Sequence, residues 1–171
     1  RDVPDRGFAM QVGEDLWLWF EGSSLDDRMN HSCEPNVGFT GGEPFMNPDI
    51  LALLGDALHR GHAVLVLTNA MQPMQRPRIK SGLLGLREAH GARLVIRVSL
   101  DHYGKALHEE ERGPDTYDKT IEGIDWLARH GFALAIAGRT YWGESDHSLR
   151  EGYGRLAGER GWPIDVNDPS Q

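Results

Sequence analysis

The sequence predicts an α/β fold built around a parallel sheet, and three observations support this fold class. From residue 47 onward, a helical pattern, a glycine and an apolar strand pattern follow one another in repeated units. The strand patterns are rich in apolar and β-branched residues, as is typical of buried parallel strands. Polar residues collect where these strands end, which is the edge at which α/β folds bind ligands.

Residues 1–39 follow a different pattern. The segment MQVGEDLWLWFEG predicts short β-strands around a Gly-Glu-Asp turn, and LDDRMNHSCEPNVGF is polar and rich in turn residues. The repeated unit of helix, glycine and strand is absent from this part of the sequence. We therefore predict a short β-rich segment over residues 1–39 and an α/β domain over residues 40–171.

The first repeated unit begins with the segment NPDILALLGDALHRG. Asn47 is a suitable helix N-cap, Pro48 suits the first helical position, and Gly61 ends the helix before the strand AVLVLTN. Three further units have helices over residues 77–90, 116–130 and 146–160, followed by the strands RLVIRVSLD, FALAIAGRT and WPIDV. This strict alternation predicts right-handed crossovers between parallel strands.

One strand favours a barrel over a doubly wound sheet. In RLVIRVSLD, an apolar set alternates with a second set that includes Arg97, Ser99 and Asp101. The central strands of a doubly wound sheet are apolar on both faces, because helices cover both sides. A polar face instead suits a barrel whose lumen holds a polar ligand. The predicted fold is therefore a partial parallel (β/α) barrel.

The composition excludes several classes of function. The net charge of −8 argues against nucleic-acid binding, which usually needs a basic face. No apolar run approaches the ~20 residues that span a bilayer, and RDVPDRGF has no signal-peptide core. We therefore expect a cytoplasmic protein with no nucleic-acid or membrane partner. A single cysteine, Cys33, allows no internal disulfide, and no residue pattern predicts a metal site.

The segment VGFTGGEPFMNP resembles a strand and loop of the radical S-adenosylmethionine (SAM) superfamily. In that family the Gly-Gly-Glu-Pro loop binds the amino group of the methionine moiety of SAM. The resemblance implies cofactor contacts from Gly41, Gly42, Glu43 and Pro44. The residue types suit this role, because glycines allow close backbone approach and positive φ, and a carboxylate can bind an ammonium group.

The resemblance continues in register along the chain. LTNA looks like the next strand end of the family, and VSLDHY, HEEERG and LAIAGRT look like the segments that follow. It implies that Thr68 and Asn69 belong to the cofactor site, and that Ser99, Asp101 and Arg139 contact the ribose or carboxylate of SAM. The matching segments cover residues 37–171 and look most like the subgroup of molybdenum-cofactor biosynthesis protein A.

One family feature has no counterpart here. The family holds a [4Fe–4S] cluster with a CxxxCxxC loop upstream of the Gly-Gly-Glu-Pro loop, and the cluster cleaves SAM reductively to a 5′-deoxyadenosyl radical. The resemblance thus implies SAM and a cluster as cofactors, but Cys33 alone cannot replace three cysteines. We therefore expect SAM binding without radical chemistry by this chain alone.

A second resemblance covers the front of the chain. LDDRMNHSCEPNVGF is similar to the signature of SET-domain protein lysine methyltransferases, in which an Asn-His pair contacts SAM. The resemblance implies that role for Asn30 and His31, and SET-type methyl transfer is the alternative function. It extends over residues 1–39 only, and no segment with the family's catalytic tyrosine follows. A third hypothesis is a non-catalytic binding or scaffold fragment that self-associates through exposed barrel edges.

Overall fold

The computed structural model describes residues 7–11, 16–21, 36–140 and 143–167. Their strands form one six-stranded sheet whose spatial order follows the chain. The strands are β1 (Gly7–Gln11), β2 (Leu16–Glu21), β3 (Asn36–Gly41), β4 (Ala63–Thr68), β5 (Leu94–Ser99) and β6 (Ala133–Ala137). β1, β2 and β3 pair antiparallel, and β3 to β6 pair parallel. This confirms an α/β fold with a four-stranded parallel sheet, consistent with a partial barrel.

In the described ranges, five helices connect the parallel strands and a sixth follows β6. They are α1 (Ile50–His59), α2 (Gln72–Gln75), α3 (Pro77–His90), α4 (Lys105–Arg112), α5 (Thr116–Arg129) and α6 (Asp146–Arg160). Consecutive strands are neighbours in the sheet, so right-handed crossovers place their connecting helices on one face. A doubly wound sheet would instead reverse its strand order and cover both faces with helices.

The core lies between the parallel strands and these helices. Leu94, Ile96 and Val98 of β5 are fully buried in it. The alternate residues of β5, Arg97 and Ser99 among them, are half-buried on the opposite face. The predicted alternation of an apolar and a polar face is thereby confirmed.

The strands predicted in the front segment are confirmed as β1 and β2. β2 pairs with β3 through the register Leu16 with Gly41 and Phe20 with Val37. β3 spans residues 36–41 and pairs parallel with β4, so the predicted division after residue 39 falls within one strand of a continuous sheet. The division into two segments stays a prediction.

Two local predictions are wrong. α1 begins at Ile50 rather than after Asn47, whose side-chain Oδ1 accepts a hydrogen bond of 2.8 Å from the backbone N–H of Asp49 in a turn before the helix. WPIDV forms no strand. Instead, the indole Nε1 of Trp162 donates to Asp125 Oδ1 at 2.8 Å, and its backbone N–H donates to the carbonyl of Ala157 in α6. These bonds tie the segment to the helices rather than to β6.

β1 and β6 are the edge strands of the sheet. The predicted self-association depends on such edges and stays a prediction. No helix in the described part of the chain has the length and apolar character to cross a membrane.

Candidate functional site

A groove of about 290 Å³ lies at the carboxyl ends of the four parallel strands. It brings together most of the site residues predicted from the sequence, from all four strand ends. Its lining comprises Gly41, Gly42, Leu67, Thr68, Asn69, Ser99, Asp101, Arg112, Ala137, Gly138 and Arg139. The predicted residues Glu43 and Pro44 are not part of this lining.

The Glu43 carboxylate is held by donors from the next strand end. Oε1 accepts from the hydroxyl of Thr68 at 2.8 Å and from the backbone N–H of Phe45 at 3.2 Å. Oε2 accepts from the backbone N–H of Asn69 at 2.9 Å. Glu43 therefore braces the loop after β3 against the end of β4.

Burial and hydrogen bonding act in opposite directions on this carboxylate. Burial raises the pKa of Glu43 above its ordinary value, because desolvation penalises the charged form. The hydrogen bonds from Asn69, Thr68 and Phe45 lower the pKa, but burial has the larger effect. These three donors leave about one of the four acceptor positions of the carboxylate without a described partner.

The glycines before Glu43 are open to a ligand. Gly41 and Gly42 are both exposed, and a Cβ built on Gly42 would have no atom within 4 Å. The predicted positive φ occurs at Gly41, with 156°, but not at Gly42. Pro44 is buried at the start of a short 3₁₀ turn over residues 44–46, where it fixes the exit from the loop.

Asp101 forms a bidentate ion pair that the sequence analysis did not identify. Its carboxylate accepts from Arg112 Nε at 2.8 Å and from Arg112 Nη2 at 2.9 Å, in the fork geometry of strong guanidinium pairs. Asp101 is buried, whereas the Arg112 side chain is 26% exposed. Arg112 ends α4, which returns to the strand end after the turn at residues 102–104.

Arg139 also belongs to this charged cluster. Its Nε lies 3.5 Å from Asp101 Oδ1, its Nη1 donates to Glu111 Oε2 at 2.9 Å, and its backbone N–H donates to the carbonyl of Asp101. The Arg139 side chain is 53% exposed. Since Arg112 already occupies both oxygens of Asp101, Arg139 is the guanidinium with more freedom to bind a ligand.

His108 supports the charged cluster through a hydrogen bond to the backbone of Asp101. Its side chain is buried, and Nδ1 accepts the backbone N–H of Asp101 at 3.2 Å. Burial lowers the pKa of His108, against a smaller opposing effect from the Asp101 charge. The segment HEEERG, which contains His108 and Arg112, was the available sequence signal for both residues.

Asn30 and His31, the residues implied by the SET resemblance, lie outside the described residues, as does Cys33. The nearest described residues on either side are Glu21 and Asn36. In the sheet, Phe20 pairs with Val37, whereas Leu16 pairs with Gly41. Glu21 and Asn36 therefore lie at the opposite ends of the strands from the groove.

A [4Fe–4S] cluster does not fit the residues of this chain. Such clusters are usually held by several cysteine thiolates, and the chain has one cysteine. β2 occupies the sheet position beside β3 and runs antiparallel to it, so no parallel strand ends beside Gly41 on that side. Within the described ranges, no three His, Cys, Asp or Glu side chains are grouped as metal ligands.

Comparison with known proteins identifies the family of the chain. Residues 28–151 match the family model described as the Radical SAM superfamily. The chain is 28% identical over 117 residues to the AdoMet-dependent heme synthase of Oleidesulfovibrio alaskensis, a match that covers 68% of the chain and 28% of that relative.

A solved structure has a similar fold. The crystal structure of Streptococcus suis SuiB matches with a TM-score of 0.55 and 20% identity, over 71% of this chain and 26% of that one. The chain thus spans about a quarter of the length of the relatives that it matches.

Proposed function

The chain belongs to the radical SAM superfamily, and from this membership we propose that it binds SAM in the groove at the carboxyl ends of β3 to β6. The observation that carries the proposal is the convergence of Gly41, Thr68, Ser99 and Arg139 on one groove from four successive strand ends. Carboxyl ends of parallel strands are where α/β folds bind ligands.

The geometry supports a specific assignment of the polar groups of SAM. Because Gly41 and Gly42 line the groove and Glu43 does not, the ammonium group of SAM binds the backbone carbonyls of the Gly41–Gly42 turn rather than the Glu43 side chain. The carboxylate of SAM binds the half-exposed Arg139, and replaces Glu111 as its partner.

We also propose that this chain does not cleave SAM by itself. Reductive cleavage in the family needs an electron from the iron–sulfur cluster, and this chain supplies one thiolate in total. The residues around the groove bind and orient the cofactor but include no redox-active group of their own.

Three further hypotheses from the sequence remain proposals: the subgroup, SET-type methyl transfer and a scaffold role. The subgroup of molybdenum-cofactor biosynthesis protein A rests on the ordered strand-end motifs alone. SET-type methyl transfer depends on Asn30 and His31, which lie outside the described residues. The scaffold hypothesis predicts neither cofactor binding nor catalysis, so one binding experiment separates it from the others.

The test is calorimetric titration of the purified, chelator-treated 171-residue chain with SAM. Gly42→Ala adds a methyl group at the exposed turn, where it touches no protein atom but reduces ligand access to the backbone. Gly85→Ala in α3 is the matched control, because its new Cβ is equally free of contacts. We expect binding by the parent chain and by Gly85→Ala, and binding weakened about tenfold or more by Gly42→Ala.

Two further measurements separate the functions. After anaerobic reconstitution with iron and sulfide, formation of 5′-deoxyadenosine would contradict the absence of cleavage. Methyl transfer from SAM to a lysine peptide would favour the SET alternative. If the parent chain fails to bind SAM, the proposal is wrong and a scaffold role is favoured.

A further inference from the structure

A second cavity, of about 300 Å³, lies beside the groove, and both β6 and α6 contribute to its lining. Its lining is mainly apolar, with four charged side chains. It comprises Arg97, Ile136, Gly138, Arg139, Thr140, Asp146, Leu149, Arg150, Tyr153, Ala157, Trp162, Ile164 and Val166. Gly138 and Arg139 line both the cavity and the groove, so a ligand in the cavity would lie next to the cofactor proposed above.

Arg97 is the unusual member of this lining. It lies on the half-buried face of β5, opposite the small residue Ala135 in the sheet register. Its Nε is buried and has no hydrogen-bond partner, and no ion pair involves Arg97 in the part of the chain that the structure describes. Because Arg97 is only half-buried and lines the cavity, the terminal part of its guanidinium can pair with an anion there.

The charge around the cavity favours the same sign of ligand. Arg97 and Arg150 contribute two guanidinium groups against the single carboxylate of Asp146, whereas Arg139 is already paired with Glu111 and Asp101. This local excess of positive charge occurs in a chain whose net charge is −8. Arg150 is partly committed, since its Nη1 donates to the carbonyl of Val166.

The apolar walls identify the rest of the ligand. Trp162, Ile136 and Leu149 offer aromatic and aliphatic surface, which an inorganic anion would leave without a contact. An apolar lining with a few placed polar groups is typical of sites for small organic molecules, and the volume is near the lower end of their range. The ligand is therefore expected to be small and to carry one anionic group on an apolar body.

We propose that this cavity binds a small organic acid, whose carboxylate pairs with Arg97 and whose apolar body packs against Trp162 and Ile136. Guanidinium and carboxylate form a charge-assisted pair, here through the terminal nitrogens of Arg97, because its Nε is buried out of reach of the cavity. The site is distinct from the SAM groove but contiguous with it, so the acid is a second ligand rather than part of the cofactor.

The experiment uses phenylacetate as the probe and phenylacetamide as its neutral counterpart, each titrated into the whole chain without SAM. Arg97→Gln removes the proposed carboxylate partner, and Arg129→Gln removes an exposed guanidinium from α5 as a control. We expect phenylacetate to bind, and phenylacetamide to bind about tenfold more weakly or not at all. Arg97→Gln should weaken phenylacetate binding about 10- to 100-fold, whereas Arg129→Gln should leave it unchanged.

Folding of the variant is checked separately. Arg97 has no described partner to lose, so Arg97→Gln should unfold at the same urea concentration as the parent chain or a higher one. Equal affinity for the acid and the amide, unchanged binding by Arg97→Gln, or no binding by the parent chain would each overturn the proposal. Competition by inorganic phosphate at equal affinity would also overturn it, since it would indicate an anion site without recognition of the apolar body. Because SAM is absent throughout, these outcomes are independent of the function proposed for the groove.

Discussion

The carboxylate of Asp101 and the guanidinium of Arg112 meet through two parallel hydrogen bonds of 2.8 and 2.9 Å. Asp101 follows the end of β5 by two residues, and Arg112 is the last residue of α4. The pair therefore fixes the helix to the strand end that lines the groove. A second guanidinium, that of Arg139, approaches the same carboxylate at 3.5 Å. The pair therefore holds the local structure and leaves Arg139 available to a ligand.

Arg112→Gln should destabilise the chain. Among the described residues, the variant leaves the buried Asp101 carboxylate with the longer contact to Arg139 alone. Breaking a buried ion pair costs about 3 to 5 kcal/mol, and the cost is lower here because the Arg112 side chain is 26% exposed. Urea unfolding followed by circular dichroism measures the change. Arg139→Gln is the control, and it should cost less than about 1 kcal/mol because its side chain is half exposed. Equal losses in the two variants would contradict this division of roles.

Glu43→Gln should change how stability depends on pH. The folded pKa of Glu43 is raised above its unfolded value of 4.5, mainly by burial. Its contribution to the free energy of unfolding is therefore fully present below 4.5 and is lost as pH rises through the folded pKa. Since Gln does not titrate, the stability of the parent chain relative to the variant should fall over that window.

The measurement is a series of urea unfolding curves from about pH 4 to about pH 8 for both chains. Thr68→Val provides an independent arm, because it removes a hydroxyl that donates to the carboxylate. It should raise the pKa of Glu43 further and extend the upper limit of the window to higher pH. A relative stability that rises with pH would contradict the assigned direction.

His108 should be neutral in the folded chain and should carry its proton on Nε2. Its Nδ1 accepts the N–H of Asp101, and burial lowers the pKa below 6.5. The stability that it contributes is therefore present above 6.5 and is lost as pH falls through the folded pKa. Nitrogen-15 NMR of the imidazole measures both the tautomer and the titration. A His108 resonance that titrates at 6.5 or higher would show that the ring is not held in this way.

The repeating units could be predicted because their limits depend on local residues. The helix bounds at residues 77–90 and 146–160 agree with the structure, since Gly91 and Gly161 adopt positive φ directly after the helices. The positions of the strand ends follow from the same alternation. A groove at the carboxyl ends of the strands could therefore be predicted from the sequence.

The hydrogen-bond partners of the groove residues come from segments that are distant from them in the sequence. Glu43 was expected to face a ligand, but the backbone N–H of Asn69 and the hydroxyl of Thr68, at the end of another strand, approach its carboxylate. Asp101 is paired by Arg112 only because α4 returns to the end of β5. No periodicity in the sequence encodes these distances, so the site residues could be predicted but not which of them are already occupied.

Gly123→Ala should be the most damaging of the conservative changes around the groove. Gly123 lies within α5, where a Cβ would overlap the carbonyl oxygen of Ala70 and lie 2.7 Å from its Cβ. Ala70 cannot easily retreat, because it is buried and already has a positive φ of 56°. Its displacement would also move Asn69, whose N–H holds the Glu43 carboxylate. Overpacking of this kind costs about 1 to 3 kcal/mol or more.

Gly85→Ala isolates this steric effect, because it makes the same chemical change inside a helix without any contact. A Cβ on Gly85 of α3 meets no atom within 4 Å, so only the gain in helix propensity remains, about 0.5 to 1 kcal/mol of added stability. Urea unfolding of the two variants should therefore shift in opposite directions from the parent chain. SAM titration should show weaker binding for Gly123→Ala alone, since only that variant disturbs the residues between α5 and the groove. If both variants gain stability, then α5 does not pack against Ala70 as closely as the structure indicates.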